Sequence, residues 1–585
     1  MRFSRWLWPA VLLLLLAATP SQPDYPQGYF RSPLGIPLYM AGNFAEMRSN
    51  HFHGGLDLKT NGREGYRIYA AAEGYVSRIA VSPSGFGNAI YLAHPNGYTT
   101  VYAHLNRFAD PIQDYVRSVQ YQRETFRVNL YLEPGQFPVA KGDVIAISGN
   151  SGSSSGPHLH FEVRDTPTQE PINPELFGFD IKDTTPPRLY AMRVYVADAN
   201  SFARIVWSDG RSPTLVSRHD PATIDLDGSN GQFSLNGVRR IEGAGRLGFA
   251  LRTHDYHDGS SNHLGPMIIR LDRDGERLFE STKERFNFDE TRQLNAHVDY
   301  AARHHTRRWF ERSHLLPGNQ LRMYETREGG FLNLEAGFSH AMRYHVEDVR
   351  GNTATLRFTV DGSADQPALP SAPEHEQILP YNRPSAFRTE SVVLALPDGA
   401  LYEDLWFDYE RETASAPNLH SDIHHIHRPD TPLQKAMSLS IAASSLPASL
   451  RDKAFIASIN DRGEPRGSIG GSYSDGFVHA RTRSFGTYAV ATDTTPPTVE
   501  LLNRPANADF RGRESVSFTI KDNLAGIDSY TGRVDGQWVL FAYDAKRSRI
   551  TYTFDDRAPS GSRTLELTVV DNVGNTSTET LRFTR

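Results

Sequence analysis

The stretch SGSSSGPHLHFEV, Ser151–Val163, passes from a glycine- and serine-rich run into two histidines one residue apart, then into an alternating apolar run. In a strand, side chains at i and i+2 share a face. His158, His160 and Glu162 therefore lie on one side, and Leu159, Phe161 and Val163 face a core on the other. A lone His-x-His pair is most often just exposed on a sheet. Glu162 reads equally as a group orienting an imidazole from behind or as a solvated strand charge. The run from Gly149 to Gly156 reads as a loop admitting an extended peptide or as a long turn.

Two earlier segments change the weight of that pair. NHFHGGLDLKT carries His53 and Asp57 around Gly54-Gly55. Paired glycines disfavour a helix, so a tight turn feeding a strand is expected. VYAHLN places His104 at the end of a strand-like run. Zinc accepts imidazole nitrogen and carboxylate oxygen, and a catalytic zinc keeps three protein ligands with one position open. The chain has no cysteine, so any metal site must use His, Asp or Glu.

His53-x-x-x-Asp57, Tyr-Ala-His ending at His104, and Gly156-Pro157-His158-Leu159-His160-Phe161-Glu162 together closely resemble the lysostaphin/LytM-type M23 zinc metallopeptidases. SPSGFGNAIYLAHPNGYTTVYAHL and VAKGDVIAISGNSGSSSGPHLHFEV resemble that family in wording and order. The resemblance covers most of residues 45 to 180. It implies one Zn²⁺ held by His53, Asp57 and His160, with His104 and His158 as catalytic histidines. It also implies a LytM-like antiparallel β peptidase domain and a substrate in the peptide crosslinks of bacterial peptidoglycan. The spacer between His104 and His158 is longer than the family's. The alternative is a non-catalytic envelope protein that uses a peptidase-like fold to bind or activate another wall enzyme.

The rest of the chain reads as mainly β. Asn96-Gly97, between two strand-like runs, signals a hairpin. Residues 110–126 turn helical, with Ile112, Tyr115, Val116 and Val119 roughly on one face, as an insertion between strands. DTTPP recurs at Asp183 and Asp493, and a double proline marks a stiff, extended linker. The segments opened there also end alike: Asp348, Gly351 and Asn352 match Asp571, Gly574 and Asn575. The expected division is a signal peptide at 1–21, a peptidase domain at 22–182, and β-rich accessory domains at 183–361 and 362–492. An immunoglobulin-like β-sandwich follows at 493–585. The first accessory stretch, nearly twice as long as the last, carries an insertion or holds two subdomains.

Arg2 and Arg5 ahead of the apolar Trp6–Ala18 run, with small residues after it, fit an export signal. The expected location is the periplasm or cell envelope, with an envelope protein as a partner for the C-terminal β-domains. A formal charge of -6 with no long basic run argues against nucleic acid. His51 is a candidate groove residue and His94 part of the hairpin turn. His304-His305 and the cluster His420, His424, His425 and His427 read as ordinary surface, strand or loop. HDYHDGSSN, with Asp255 and Asp258, suggests a cation loop less well than a turn.

Overall fold

A computed structural model describes residues 25–365, 367–371, 374–502 and 504–585. The expected signal peptide lies outside the described residues. The chain is mainly β throughout. Among the described residues no helix is long and apolar enough to cross a membrane.

The first sheet runs in the order Met40–Gly42, Leu56–Lys59, His158–Asp165, Tyr98–Phe108, Asn88–Ala93, Gly74–Val81 and Pro138–Val139. Its strands pair antiparallel. The His158–Asp165 strand is central. His160 sits opposite Asp57 on one side and Ala103 on the other. Alternation sorts its two faces as expected: Leu159, Phe161 and Val163 are buried in one core with Leu56, Leu58 and Tyr102. Burying one such side chain contributes roughly 1.5–3 kcal/mol, which pins the register that aims the histidines the other way.

The expected hairpin forms between Asn88–Ala93 and Tyr98–Phe108, with Gly97 at φ 86°. His94 stands at its turn, but its ring is buried, bonded to the Glu73 carbonyl and Thr100. The expected helix spans Ile112–Gln122 and buries Ile112, Val116 and Val119.

Residues 188–362 form one hydrogen-bonded system of 13 strands around a main core containing Val194, Phe249, Leu271 and Tyr344. The extra length of this unit includes a helical segment, Leu294–His297 and Tyr300–Thr306. Leu294 and Val298 pack with Phe44, Phe52 and Phe286, so the segment clamps the chain leading to His53. Thr291 Oγ1 accepts the Phe52 amide at 2.8 Å, and Asn295 Nδ2 donates to Asn50 Oδ1 at 3.0 Å. His304 and His305 are exposed at the end of this helix.

Two five-stranded sheets follow between Ser385 and Thr492 around Leu394, Leu439, Val478 and Val490. The histidine cluster there behaves as ordinary strand and loop. His424 bonds Tyr409, His425 bonds Thr487, and His427 bonds Thr431. The last unit is two four-stranded sheets over a core of Phe518, Tyr552, Leu567 and Val569. The repeated turns match bond for bond. Asp348 Oδ1 accepts the amides of Arg350 and Asn352, and Asp571 Oδ1 those of Val573 and Asn575.

The last unit folds back onto the first. Asp555 Oδ2 accepts from Arg117 at 2.6 Å and from the Tyr121 hydroxyl, both on the inserted helix. The Tyr121 and Trp538 rings meet edge to face at 5.3 Å. Burial pushes the Asp555 pKa up, but its bonds to Tyr121, Tyr552 and Arg117 outweigh that and hold it below the ordinary value. A depressed carboxyl pKa stabilises above the unfolded value, about 3.9, and is lost as pH falls through the folded one. Asp555→Ala should therefore loosen this docking by about 1–3 kcal/mol at pH 7, because partly buried donors lose their acceptor. Acidification below about pH 4 should do the same to the unaltered chain. Faster proteolytic release of the last unit, with the first unit intact, is the readout; equal cleavage rates would refute the contact's role.

Candidate metal centre

All five expected site residues come together. His53 follows the short Met47–Arg48/His51–Phe52 hairpin, and Asp57 lies on the next strand. Gly55 explains the Gly-Gly turn between them: a Cβ there would sit 2.2 Å from the Phe161 carbonyl oxygen. His158 and His160 come from the central strand, and His104 from its neighbour. His104 is held at φ 59°, a left-handed conformation rare outside glycine, where the pairing with Asn88–Ala93 shifts register.

Three ligand atoms converge. His53 Nε2 lies 3.0 Å from Asp57 Oδ1 and 3.0 Å from His160 Nδ1. His160 Nδ1 lies 3.0 Å from the same Asp57 oxygen. His158 Nε2 stands 3.2 Å from that oxygen as well. The edge of a tetrahedron with zinc bonds of 2.0–2.1 Å is about 3.3 Å, so the triangle matches such an ion closely.

Hydrogen bonds on the far side of each ring assign its proton. His53 Nδ1 donates to the Asn43 carbonyl at 2.7 Å, and His160 Nε2 to Glu162 Oε1 at 2.8 Å. His158 Nδ1 donates to the Gly156 carbonyl at 2.8 Å, and His104 Nδ1 to the Ser151 carbonyl at 2.9 Å. Each ring thereby keeps an unprotonated nitrogen for the centre, the tautomer a metal ligand or a general base requires. The donor set fits one Zn²⁺ on His53, Asp57 and His160. The His104 and His158 rings, 4.8 Å apart between centroids, form the adjoining wall.

The electrostatics follow from crowding away from water. Burial lowers the His53 pKa despite Asp57. Burial, then the neighbouring His160 and His158, push His104 down to about 3. Burial opposes charge on His160, but its bonds to Asp57 and Glu162 outweigh it and raise the pKa to about 9, so a metal taking Nδ1 would displace a proton from it. Burial raises Asp57, yet His53 and the other imidazoles hold it well below the usual carboxylate range.

Several partners stand behind these residues. Glu162 is fully buried, so the solvated-charge reading is wrong for it: it bonds His160 on one side and Arg164 on the other. Arg164 continues the i, i+2 series on the same face, and extending that alternation one step would have found it. Arg48 Nη2 reaches Asp57 Oδ2 at 2.8 Å, and Asn43 presents the carbonyl that orients His53. Neither has a local signal. His51, the candidate groove residue, is exposed, with Nδ1 on the Ser49 carbonyl.

The Gly/Ser run is stapled rather than soft. Ser151 Oγ accepts the Asn88 amide and donates to the Leu105 carbonyl, and Ser153 Oγ accepts the Gly85 amide. A Cβ on Gly152 would sit 2.3 Å from the Gly87 nitrogen, so the two backbones touch only because both are glycine. From the last unit, Lys546 Nζ donates to the Ser154 carbonyl at 3.0 Å and to that of Asn150.

Comparison with known proteins agrees with this geometry. A model for peptidase family M23 matches residues 51–121 and 125–174, and one for a Zu5-like domain matches residues 376–493. An uncharacterized metalloprotease of Haemophilus influenzae is 34% identical over 110 residues, 19% of this chain and 18% of that protein. The DD-carboxypeptidase/endopeptidase Mpg of Neisseria meningitidis serogroup B is 31% identical over 122 residues, 21% of this chain and 22% of that protein. The chain thus spans about a fifth of the length of these relatives. The catalytic domain of lysostaphin from Staphylococcus simulans is 23% identical, with a TM-score of 0.18, over 24% of this chain and 88% of that one.

Glu162→Gln keeps the shape but removes the charge behind His160. Partners of this kind typically contribute 10–100-fold to metal affinity. Competition against a chromophoric chelator should show a loss of about that size for zinc in the folded variant. Unchanged affinity would reduce Glu162 to a mere structural partner of Arg164.

Proposed function

We propose that this chain, whose residues 51–121 and 125–174 match the model of peptidase family M23, is an exported zinc-dependent endopeptidase acting on peptide crosslinks of bacterial peptidoglycan. The observation that carries the reading is the convergence on Asp57 Oδ1 of three imidazole nitrogens, each freed by a hydrogen bond on the far side of its ring. A peptidase-like scaffold that only binds would not need that arrangement. The metallopeptidase family and relatives named as endopeptidases, among them a peptidoglycan DD-endopeptidase of Vibrio cholerae, support the substrate class.

Bound zinc would supply a Lewis acid and bring the pKa of a water toward about 7. His53, Asp57 and His160 would hold it. His104 and His158 would each offer Nε2 to take a proton and return it to a leaving amine, the proton on Nδ1 being committed to a carbonyl. His104 is neutral at pH 7 in this environment, as an acceptor must be. The apolar run at Trp6–Ala18 supports export to the periplasm or envelope. We read the last unit as immunoglobulin-like and the accessory β-units as the part that addresses the wall or an envelope partner.

Purified chain should release muropeptide fragments from peptidoglycan when loaded with zinc and not after its removal. His160→Ala should lose both tight zinc binding and turnover. His104→Ala should keep stoichiometric zinc while turnover falls about 10²–10⁴-fold, the usual worth of a positioned acid–base group. Full activity in either variant would overturn the assignment.

A further inference from the structure

Where the first unit meets the second, four acidic side chains and a histidine gather away from water. Glu175 comes from the Pro174–Phe177 turn of the peptidase unit. Asp183 opens the DTTPP linker, and Asp255 and His257 follow the Val238–His254 strand of the accessory unit. Ligand atoms of Asp183, Asp255 and His257 all lie within 4.8 Å of one another. His257 Nε2 is 3.4 Å from Asp183 Oδ2, 3.6 Å from Asp255 Oδ2 and 3.7 Å from Glu175 Oε2. The fourth carboxylate, Asp348, faces the same group, and its charge acts on both Asp183 and Asp255.

An acidic cluster alone is common. This one is unsatisfied. Glu175 is 1% exposed, and neither of its carboxylate oxygens has a hydrogen-bond partner. Asp255 is also 1% exposed, and its Oδ1 is equally without a partner, as are Asp183 Oδ2 and His257 Nδ1. Buried carboxylate oxygens without donors are costly unless a cation or protons neutralise them. One imidazole and the Arg350 guanidinium, whose charge also acts on Glu175, cannot balance four carboxylates. A Ca²⁺ at 2.3–2.6 Å from its ligands sets opposite oxygens about 4.6–5.2 Å apart, which matches the observed spread.

The chain builds the frame twice. At the second DTTPP, ligand atoms of Asp493, Asp522 and Asp571 fall within the same 4.8 Å limit. Asp493 corresponds to Asp183: each accepts the amide two residues on, from Thr495 and Thr185. Asp522, like Asp255, directly follows its strand, here Ser515–Lys521, and Asp571 is the repeat counterpart of Asp348. Asp522 Oδ1 again has no partner.

We propose that Glu175, Asp183, Asp255 and His257 form a binding site for a divalent cation of the hard, oxygen-preferring class, with Ca²⁺ the fitting ion, which ties the peptidase unit to the first accessory unit. Carboxylates outnumber the single imidazole, and that balance favours Ca²⁺ over zinc. The ion bridges three pieces of chain: the end of one unit, the linker and a loop of the next. Without it, burial and the neighbouring acids would leave these carboxyls holding protons near neutrality. Glu175 and Asp183 are pushed up to about 7 and Asp255 to about 8, burial being the largest cause for each.

The test uses the full chain, stripped of divalent ions on a chelating resin and then reloaded with one equivalent of Zn²⁺. Adding Ca²⁺ should raise the thermal midpoint by several degrees, and Tb³⁺ should bind with luminescence sensitised by the nearby Tyr190 and Tyr256. Glu175→Gln/Asp255→Asn should lose the Ca²⁺-dependent rise while its Ca²⁺-free midpoint stays at or above that of the unaltered chain, since repulsion is removed. The same comparison in an Asp522→Asn background separates any contribution of the second cluster. Should the double variant fail to fold, the unaltered chain decides. A midpoint indifferent to Ca²⁺ in that chain, or Tb³⁺ luminescence identical in chain and folded variant, would overturn the proposal in favour of protonated carboxyls.

Discussion

The arrangement depends on one buried carboxylate. Asp57 Oδ1 has three imidazoles around it, and Arg48 takes its other oxygen. An anion taken out of water needs compensation from every side, and here the partners arrive from three chain segments, at Arg48, at His53 and on the His158–Asp165 strand. The strand register provides them. Because His160 is paired opposite Asp57, the sheet ladder itself sets the two side chains at contact distance. Loops alone could not hold four rings in one tautomeric pattern, each with a nitrogen directed at one point.

The shell behind the rings is as ordered as the rings. Glu162 and Arg164 form a buried pair whose charge reaches the centre only through His160. Arg164 also lies over the rings of Tyr91 and Phe288, and Phe288 belongs to the accessory unit. The Asn43 carbonyl that fixes His53 is held in turn, because the Asn43 side chain exchanges hydrogen bonds with the backbone of Gly265. The second unit therefore reaches the site on two sides, at His53 through Asn43 and at Glu162 through Arg164. A rigid ligand shell built partly from a separate unit links the fit of the centre to the docking of that unit.

The central strand was legible because its period is short and its two faces differ. HLHFEV is six residues in which apolar and ionisable side chains alternate, and no helix reproduces that. Gly54-Gly55 was legible as a turn, and its reason, contact with the Phe161 backbone, appears only in the fold. The helical insertion was legible from Ile112, Val116 and Val119, but not its destination, since nothing local in that helix points to Asp555 some 438 residues away. Asn43 and Arg48 escaped for the same reason: a carbonyl acceptor leaves no side-chain signature, and an arginine becomes a partner only where the chain folds it. Glu162 was ambiguous because alternation gives the face and not whether that face is wet.

The extended architecture imposes a geometric condition on access. The Gly/Ser run from Gly149 to Gly156 forms one rim of the centre and is fastened on both sides, by serines to residues 85–105 and by Lys546 from the last unit. Four of its eight carbonyls are engaged: Ser151 on His104, Gly156 on His158, and Asn150 and Ser154 on Lys546. Glycine is needed at Gly87 and Gly152, where the backbones approach within the space of a single methyl group. His104 and His158 are both held by carbonyls of this loop, and Lys546 of the last unit bonds the same loop, a contact no motif could have announced.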